Sequence, residues 1–296
     1  MNDYLVKALA FDKHARIYAT STTNVLNEIG NRLNYFPSAL DALGRVLSMG
    51  AMMGSMLKLE ETLTIRIEGN GPIGKIVCDS DAHGHIRAYC DNPHCHFEYA
   101  DFRLNARATV GDSGVIYIIK DLKLKEPFIG ATPIVDGELA KDFAYYFSRS
   151  EQVPSIVALG VSINTDTIAT SSGGYIIQLL PNTPDSIIDE IEKRVNVLPA
   201  VSELLESGLK PEDIIKNIDK NAEILETVPV EFTCNCSKER FARGILSLGS
   251  KEIKDMIAED GKAETVCHFC GEQYFFCKDE LESLYQEALQ KEKTKS

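Results

Sequence analysis

TLTIRIEGNGPIGKIVCDSDAHGHIRAYCD, residues 62–91, is the stretch on which the fold turns. Its glycines, Gly69-x-Gly71-x-x-Gly74, match the dinucleotide-binding fingerprint. That fingerprint works only where a strand turns tightly into a helix whose N-terminus holds a pyrophosphate. Here Pro72 follows the second glycine, and Lys75-Ile-Val-Cys-Asp79 alternates like another strand, so the glycines read as hairpin turns. Thr62–Glu68, Ile73–Asp79 and His85–Asp91 are therefore expected as three strands of an antiparallel meander.

Working outward, further strands are expected at Val115–Lys120, Ile156–Asn164 and Tyr175–Leu180. Ser38-x-x-Asp41 after Pro37 has the form of a helix cap, opening a helix that runs to about Lys58; Gly137–Phe147 is a second helix. The first is apolar on nearly every face and should be buried. Its Met49, Met52, Met53 and Met56 fit an adaptable binding surface, but all-round apolarity favours core. Strands and helices mix without a βαβ rhythm, which makes the fold class α+β.

The texture changes near Pro181. Residues 181–229 read as short helices, with Ile187, Ile188, Ile191, Val195 and Leu198 on one face, then Val201, Leu204 and Leu205, then Ile214, Ile215 and Ile218 after Pro211. Helices below roughly 12–15 residues are marginal alone in water, so this segment depends on its neighbours.

The 296 residues carry 31 Lys+Arg against 44 Asp+Glu, a net charge of -13. That balance disfavours nucleic-acid backbones and anionic membrane surfaces as partners. The longest apolar run, Val46 to Leu57, is too short to span a bilayer, and the N-terminal residues show no secretory pattern. Eight cysteines in such a chain point to thiol or metal chemistry in a reducing compartment, the cytoplasm.

Four of them are paired: Cys234-Asn-Cys236 and Cys267-His-Phe-Cys270. Residues i and i+2 of an extended segment face the same way, so the first two thiols can reach one ion. The second pair sits on a turn freed by Gly271. Four thiolates suit closed tetrahedral zinc. His268 is an alternative ligand, though four cysteines leave it redundant. Between and beyond the pairs, Ser237–Leu248, Ser250–Glu259 and Asp279–Gln290 read as helices and Glu272–Phe276 as a strand. So small a core needs its metal. A thioredoxin-type reading of CxxC requires a helix after the motif, whereas strand-like GEQYFF follows here.

These pairs, within Val266-Cys-His-Phe-Cys-Gly271, together with Ile67-Glu-Gly-Asn-Gly-Pro-Ile-Gly74, Ser150-Glu-Gln-Val-Pro154 and Gly173-Gly-Tyr-Ile-Ile-Gln-Leu-Leu-Pro181, resemble the redox-regulated 33-kDa heat-shock chaperonins over essentially the whole chain. The resemblance implies an ATP-independent holdase, not an enzyme, in three parts: an α+β core domain (1–180), a metastable helical linker (181–231) and a small C-terminal zinc-binding redox switch (232–296). It implies one zinc per chain on Cys234, Cys236, Cys267 and Cys270 in the reduced state. On oxidation it implies disulfides Cys234–Cys236 and Cys267–Cys270, zinc loss, capture of unfolded or misfolded clients, and a homodimeric active form. No GxxxxGK[ST] loop occurs to cradle a triphosphate.

Cys78, Cys90, Cys95 and Cys277 match no cysteine of that family. Cys90, His94, Cys95 and His96, with His83 and His85 upstream, suggest a second metal site or, more simply, ordinary strand and turn positions. Cys277 has the cap spacing to Glu280. Two other function classes stand beside the holdase: a thiol-disulfide oxidoreductase and a constitutive zinc-dependent binding module.

Overall fold

Alternate residues of the 62–91 stretch point into one core: Leu63, Ile65, Ile67, Ile76, Cys78, Ile86, Ala88 and Cys90 are all buried. The computed structural model describes residues 2–295. The chain divides into two compact units, Met1–Thr233 and Cys234–Ser296.

In the first unit, β1 (Tyr4–Ala10) and β2 (Ala15–Ser21) form a hairpin, followed by α1 (Thr23–Leu33) and α2 (Pro37–Gly54). The meander β3 (Thr62–Gly69), β4 (Lys75–Asp81) and β5 (His85–Cys90) comes next, then α3 (Ala106–Val110), β6 (Gly114–Asp121) and β7 (Phe128–Pro133). After α4 (Ala140–Tyr146), strands β8 (Ser155–Ile163) and β9 (Ala169–Leu179) return to the first hairpin. Helices α5 (Asp185–Asn196), α6 (Val201–Glu206) and α7 (Pro211–Ile218) precede β10 (Glu223–Pro229) and β11 (Glu231–Phe232). Two sheets result, ordered β10-β1-β2-β9-β8 and β11-β5-β4-β3-β6-β7. The pairings are antiparallel except β11 on β5. The α+β expectation with an antiparallel-sheet core holds.

The two sheets share α2, whose residues from Ser38 to Gly54 are buried except Arg45. Close approach on both sides explains its glycines. A Cβ on Gly44 would press on Val161 and Ser172 of the first sheet, and one on Gly50 on Cys78 Sγ of the second. Met49, Met52 and Met53 are at most 2% exposed, so they are core. Cys78 is a packing residue under Gly50.

Several boundaries differ from the sequence reading. Ser38 is not the cap of α2: Pro37 opens the helix after extended Phe36, and Ser38 Oγ exchanges hydrogen bonds with the Phe97 main chain. The helix ends at Gly54, not Lys58. Helix α4 starts at Ala140 because the buried Asp142 carboxylate gathers the N–H groups of Val135, Asp136, Gly137 and Leu139 into a loop. The stretch after α7 is not helical: Glu223–Pro229 is a strand on the edge of β1.

Helices α5–α7 bury Ile191, Val201, Leu204, Ile214, Ile215 and Ile218 against Val6, Ala8, Ile17, Tyr175 and Ile177, on the face of the first sheet opposite α2. Polar contacts pin this layer. The Phe11 N–H donates to the buried Asp219 carboxylate at 2.7 Å, and Arg194 donates to the Ile218 carbonyl while lying over the Phe11 ring.

The second unit contains α8 (Lys238–Ser247), α9 (Ser250–Glu259), the hairpin β12 (Ala263–Val266) and β13 (Gln273–Phe276), and α10 (Lys278–Lys295). Its buried core is small: Ile245, Ile253, Phe276, Leu281 and Ala288. The Cys277 N–H donates to Glu280 at 2.9 Å, the capping contact its spacing suggested.

Candidate metal centre

Two local devices bring four thiols together. Cys234 and Cys236 lie in the extended segment before α8, where Ser237 caps the helix by accepting the Arg240 N–H. Cys267 and Cys270 lie on the turn joining β12 to β13. That turn is closed by Gly271 N–H on the Cys267 carbonyl at 2.8 Å, with Gly271 at φ +76.

The four sulfurs lie within 4.8 Å of one another. Cys234 Sγ is 3.6 Å from Cys267 Sγ, and Cys236 Sγ is 3.4 Å from Cys270 Sγ. Sulfurs about 2.3 Å from a single ion in tetrahedral array stand about 3.8 Å apart, within the observed span. Among the described residues none of the cysteines is in a disulfide. His268 is exposed beside this cluster and is not part of it.

The electrostatics also ask for a cation. Burial pushes the Cys267 and Cys270 thiols up. Cys234 is drawn down, against the burial that opposes it, by the Cys236 N–H and the neighbouring thiols. Ionisation of Cys234 is thus favoured, while burial and then the neighbouring thiols oppose it at Cys267 and Cys270. A soft dication removes that conflict by sharing four anionic sulfurs. Main-chain N–H groups support the sulfurs: Cys236 for Cys234, Phe269 and Cys270 for Cys267, Glu272 for Cys270. Tyr274 Oη donates to Cys236 Sγ at 3.2 Å, and this contact holds the phenol well above its ordinary range, protonated.

Among the described residues this is the one cluster of three or more His, Cys, Asp or Glu placed to hold a metal. The second site suggested around Cys90 and Cys95 does not assemble. The Cys90 N–H donates to Tyr35 Oη, Cys95 Sγ to the Asn92 carbonyl, His94 stacks near Phe36, and His96 lies against Ser38 and Glu98. Burial raises the Cys90 thiol to about 12. These are structural positions. No helix among the described residues is long and apolar enough to cross a membrane.

The chain thus combines an α+β body with a small unit that carries four clustered thiols. The Hsp33 protein family matches residues 3–277. A 33 kDa chaperonin of Bacillus pumilus (strain SAFR-032) is 51% identical over 287 residues, covering 96% of this chain and 99% of its own. The 33 kDa chaperonin of Bacillus subtilis (strain 168) is 51% identical over 284 residues, covering 95% and 98%. The crystal structure of the 33 kDa chaperonin from Thermotoga maritima superposes with a TM-score of 0.91 at 32% identity, over 98% of this chain and 100% of the other. The chain belongs to the Hsp33 family.

Proposed function

We propose that this chaperonin-family chain is an ATP-independent holdase, switched on by oxidation, with Cys234, Cys236, Cys267 and Cys270 holding one zinc per chain in the reduced state. The observation that carries the reading is a four-sulfur cluster within 4.8 Å, set in a unit whose own core is five buried residues. Zinc, when bound, supplies a cross-link between the two cysteine pairs. Structural zinc contributes roughly 10–16 kcal/mol in finger peptides, whereas small cores rarely exceed about 3–5 kcal/mol.

Oxidation to Cys234–Cys236 and Cys267–Cys270 would close each pair on itself and leave the two pairs unconnected. The unit 234–296 then loses its fastening. Within 181–231, the short helices α5–α7 on the first sheet are the next weakest part, and their release uncovers Val6, Ile17 and Ile177 for unfolded clients. The three-part organisation, 1–180, 181–231 and 232–296, the homodimeric active form and a cytoplasmic site belong to the same proposal. So does the absence of catalysis: the four sulfurs close the centre to a substrate.

A thiol-disulfide oxidoreductase is less well supported. Strand β13, not a helix N-terminus, follows Cys270, and burial raises Cys267 instead of activating it. The test compares reduced, zinc-loaded protein with peroxide-treated protein in suppressing aggregation of heat-unfolded citrate synthase without ATP. Holding by the oxidised form alone is expected. Equal holding by the reduced form supports the constitutive zinc-dependent module instead, and turnover of insulin disulfides supports the oxidoreductase.

A further inference from the structure

A side chain from outside the cysteine pairs reaches the four-sulfur cluster, and its contact falls on Cys236. Cys234, Cys267 and Cys270 are met by main-chain N–H groups that the turns themselves provide. Cys236 is met by a side chain, the Tyr274 phenol, at 3.2 Å. Strand β13 fixes that phenol: Tyr274 lies opposite Thr265 of β12, and its ring packs on Phe241 of α8 at a centroid distance of 5.0 Å. Phe276, two residues on, is buried in the core and anchors the strand. The donor is therefore held in place by packing on α8 and pairing with β12.

We propose that Tyr274 is a positioning residue for the oxidation step, its hydrogen bond to Cys236 Sγ setting how readily a hydroperoxide oxidises the centre. In that step the Cys236 sulfur, as thiolate, attacks one peroxide oxygen. The S–O bond forms, the O–O bond breaks, and the departing hydroxide takes up a proton as water. Sulfur is oxidised to sulfenic acid and the peroxide is reduced. The Cys234 thiol then displaces the sulfenic oxygen as a second water, and the S–S bond forms.

The lone pair that attacks is the one a hydrogen bond stabilises. An O–H donor on the sulfur lowers its nucleophilicity and leaves the thiol inert at low peroxide. A net hydrogen-bond contribution of about 0.5–1.5 kcal/mol corresponds to roughly a 2- to 10-fold change in rate. The inference deepens the redox reading of the same site, but the oxidation rate can be measured whether or not oxidation activates holding.

The test uses the full-length, zinc-loaded protein. Tyr274→Phe is expected to release zinc to a chromogenic chelator roughly 2- to 10-fold faster than the parent under the same hydrogen peroxide concentration. Release to chelator without peroxide should change much less, which separates donor loss from loosened packing. With cobalt(II) in place of zinc, the thiolate-to-metal charge-transfer band of the variant should move to lower energy, because the sulfur lone pair is no longer stabilised. Tyr285→Phe, which removes another phenol from the same unit, should leave both readouts at parent values.

An unchanged peroxide rate and band in Tyr274→Phe overturn the proposal. A slower rate overturns it too, since the phenol would then serve as proton donor to the departing oxygen. If the variant does not load metal, a fluorinated tyrosine placed at 274 supplies the reverse experiment. A stronger donor should slow release below the parent, and no slowing refutes the assignment. Normal peroxide-driven release with no gain in holding defeats the redox-holdase reading and leaves Tyr274 to be judged on the rates.

Discussion

The two units of this chain stay folded by different means. In Met1–Thr233, Leu43, Val46, Leu47, Met49 and Met52 are fully buried between two sheets, and apolar burial at roughly 25 cal/mol per Å² suffices to hold such a body together. In Cys234–Ser296 the buried core is Ile245, Ile253, Phe276, Leu281 and Ala288, beside four sulfurs placed to hold a metal. The thiols of the first unit, Cys78, Cys90 and Cys95, are buried, whereas Cys234, Cys236 and Cys270 of the second are partly exposed. The difference in composition is a difference in which chemistry each half obeys.

The largest expected effect breaks the weaker half. Stripping metal from the reduced protein with a chelator should abolish amide protection across 234–290 and leave the β3, β4 and β6 amides protected. Structural zinc is worth about 10–16 kcal/mol in comparable small units, more than the core could replace. Protection retained across α8–α10 in metal-free protein would erase the contrast.

A middle-sized effect should fall on the stronger half alone. Met52→Ala leaves a cavity between the sheets and should cost about 2–5 kcal/mol. Urea unfolding followed by far-ultraviolet circular dichroism would show an earlier transition for the first unit, with zinc affinity at the parent value. A matching drop in zinc affinity would mean that the two halves do not stand separately.

The smallest effect is in pH dependence. Asp3 is buried beside α1, and desolvation raises its pKa although the Val25 and Asn24 N–H groups and the Asn24 and Ser21 side chains pull the other way. The folded state then binds its proton more tightly than the unfolded chain. Stability contributed by this group falls as pH rises from the ordinary aspartate range through the raised value. Asp3→Asn should flatten that slope in the first unit, read as the urea midpoint as pH rises from the ordinary aspartate range. An unchanged slope would place the titration elsewhere.

How much of this was legible depended on how local the signal was. The cysteine pairs were plain because ligand spacing is a property of neighbouring residues, and the buried helix because it is apolar all round. Strand β10 was hidden: its side chains are exposed except Val228, so no apolar stripe marks it and the partner strand makes it a strand. The first hairpin was hidden for another reason. Its turn runs through Phe11, Asp12 and Lys13, all at positive φ, with none of the glycines that advertise such a bend. Tyr274 had one weak signal, its place on the same face of a short strand as Phe276, two residues away. The contact with Cys236 depends on how α8 packs, which spacing does not encode.

Residues 223–233 are stitched to both sheets of the first unit. β10 runs along β1, Val230 N–H donates to Asp3, Glu231 N–H to Gly84 and Thr233 N–H to Ile86. Gly84, at φ +84, sits so close to the Pro229 carbonyl that a Cβ would lie 1.8 Å from its oxygen. If the proposed switch operates, disorder spreading back from Cys234 would have to open this seam rung by rung before it reached α7, α6 and α5. Under the proposed redox reading the seam would act as a delay line: a brief oxidant pulse that loosened the cysteine unit would subside before the apolar layer lifted, whereas sustained stress would outlast the unzipping.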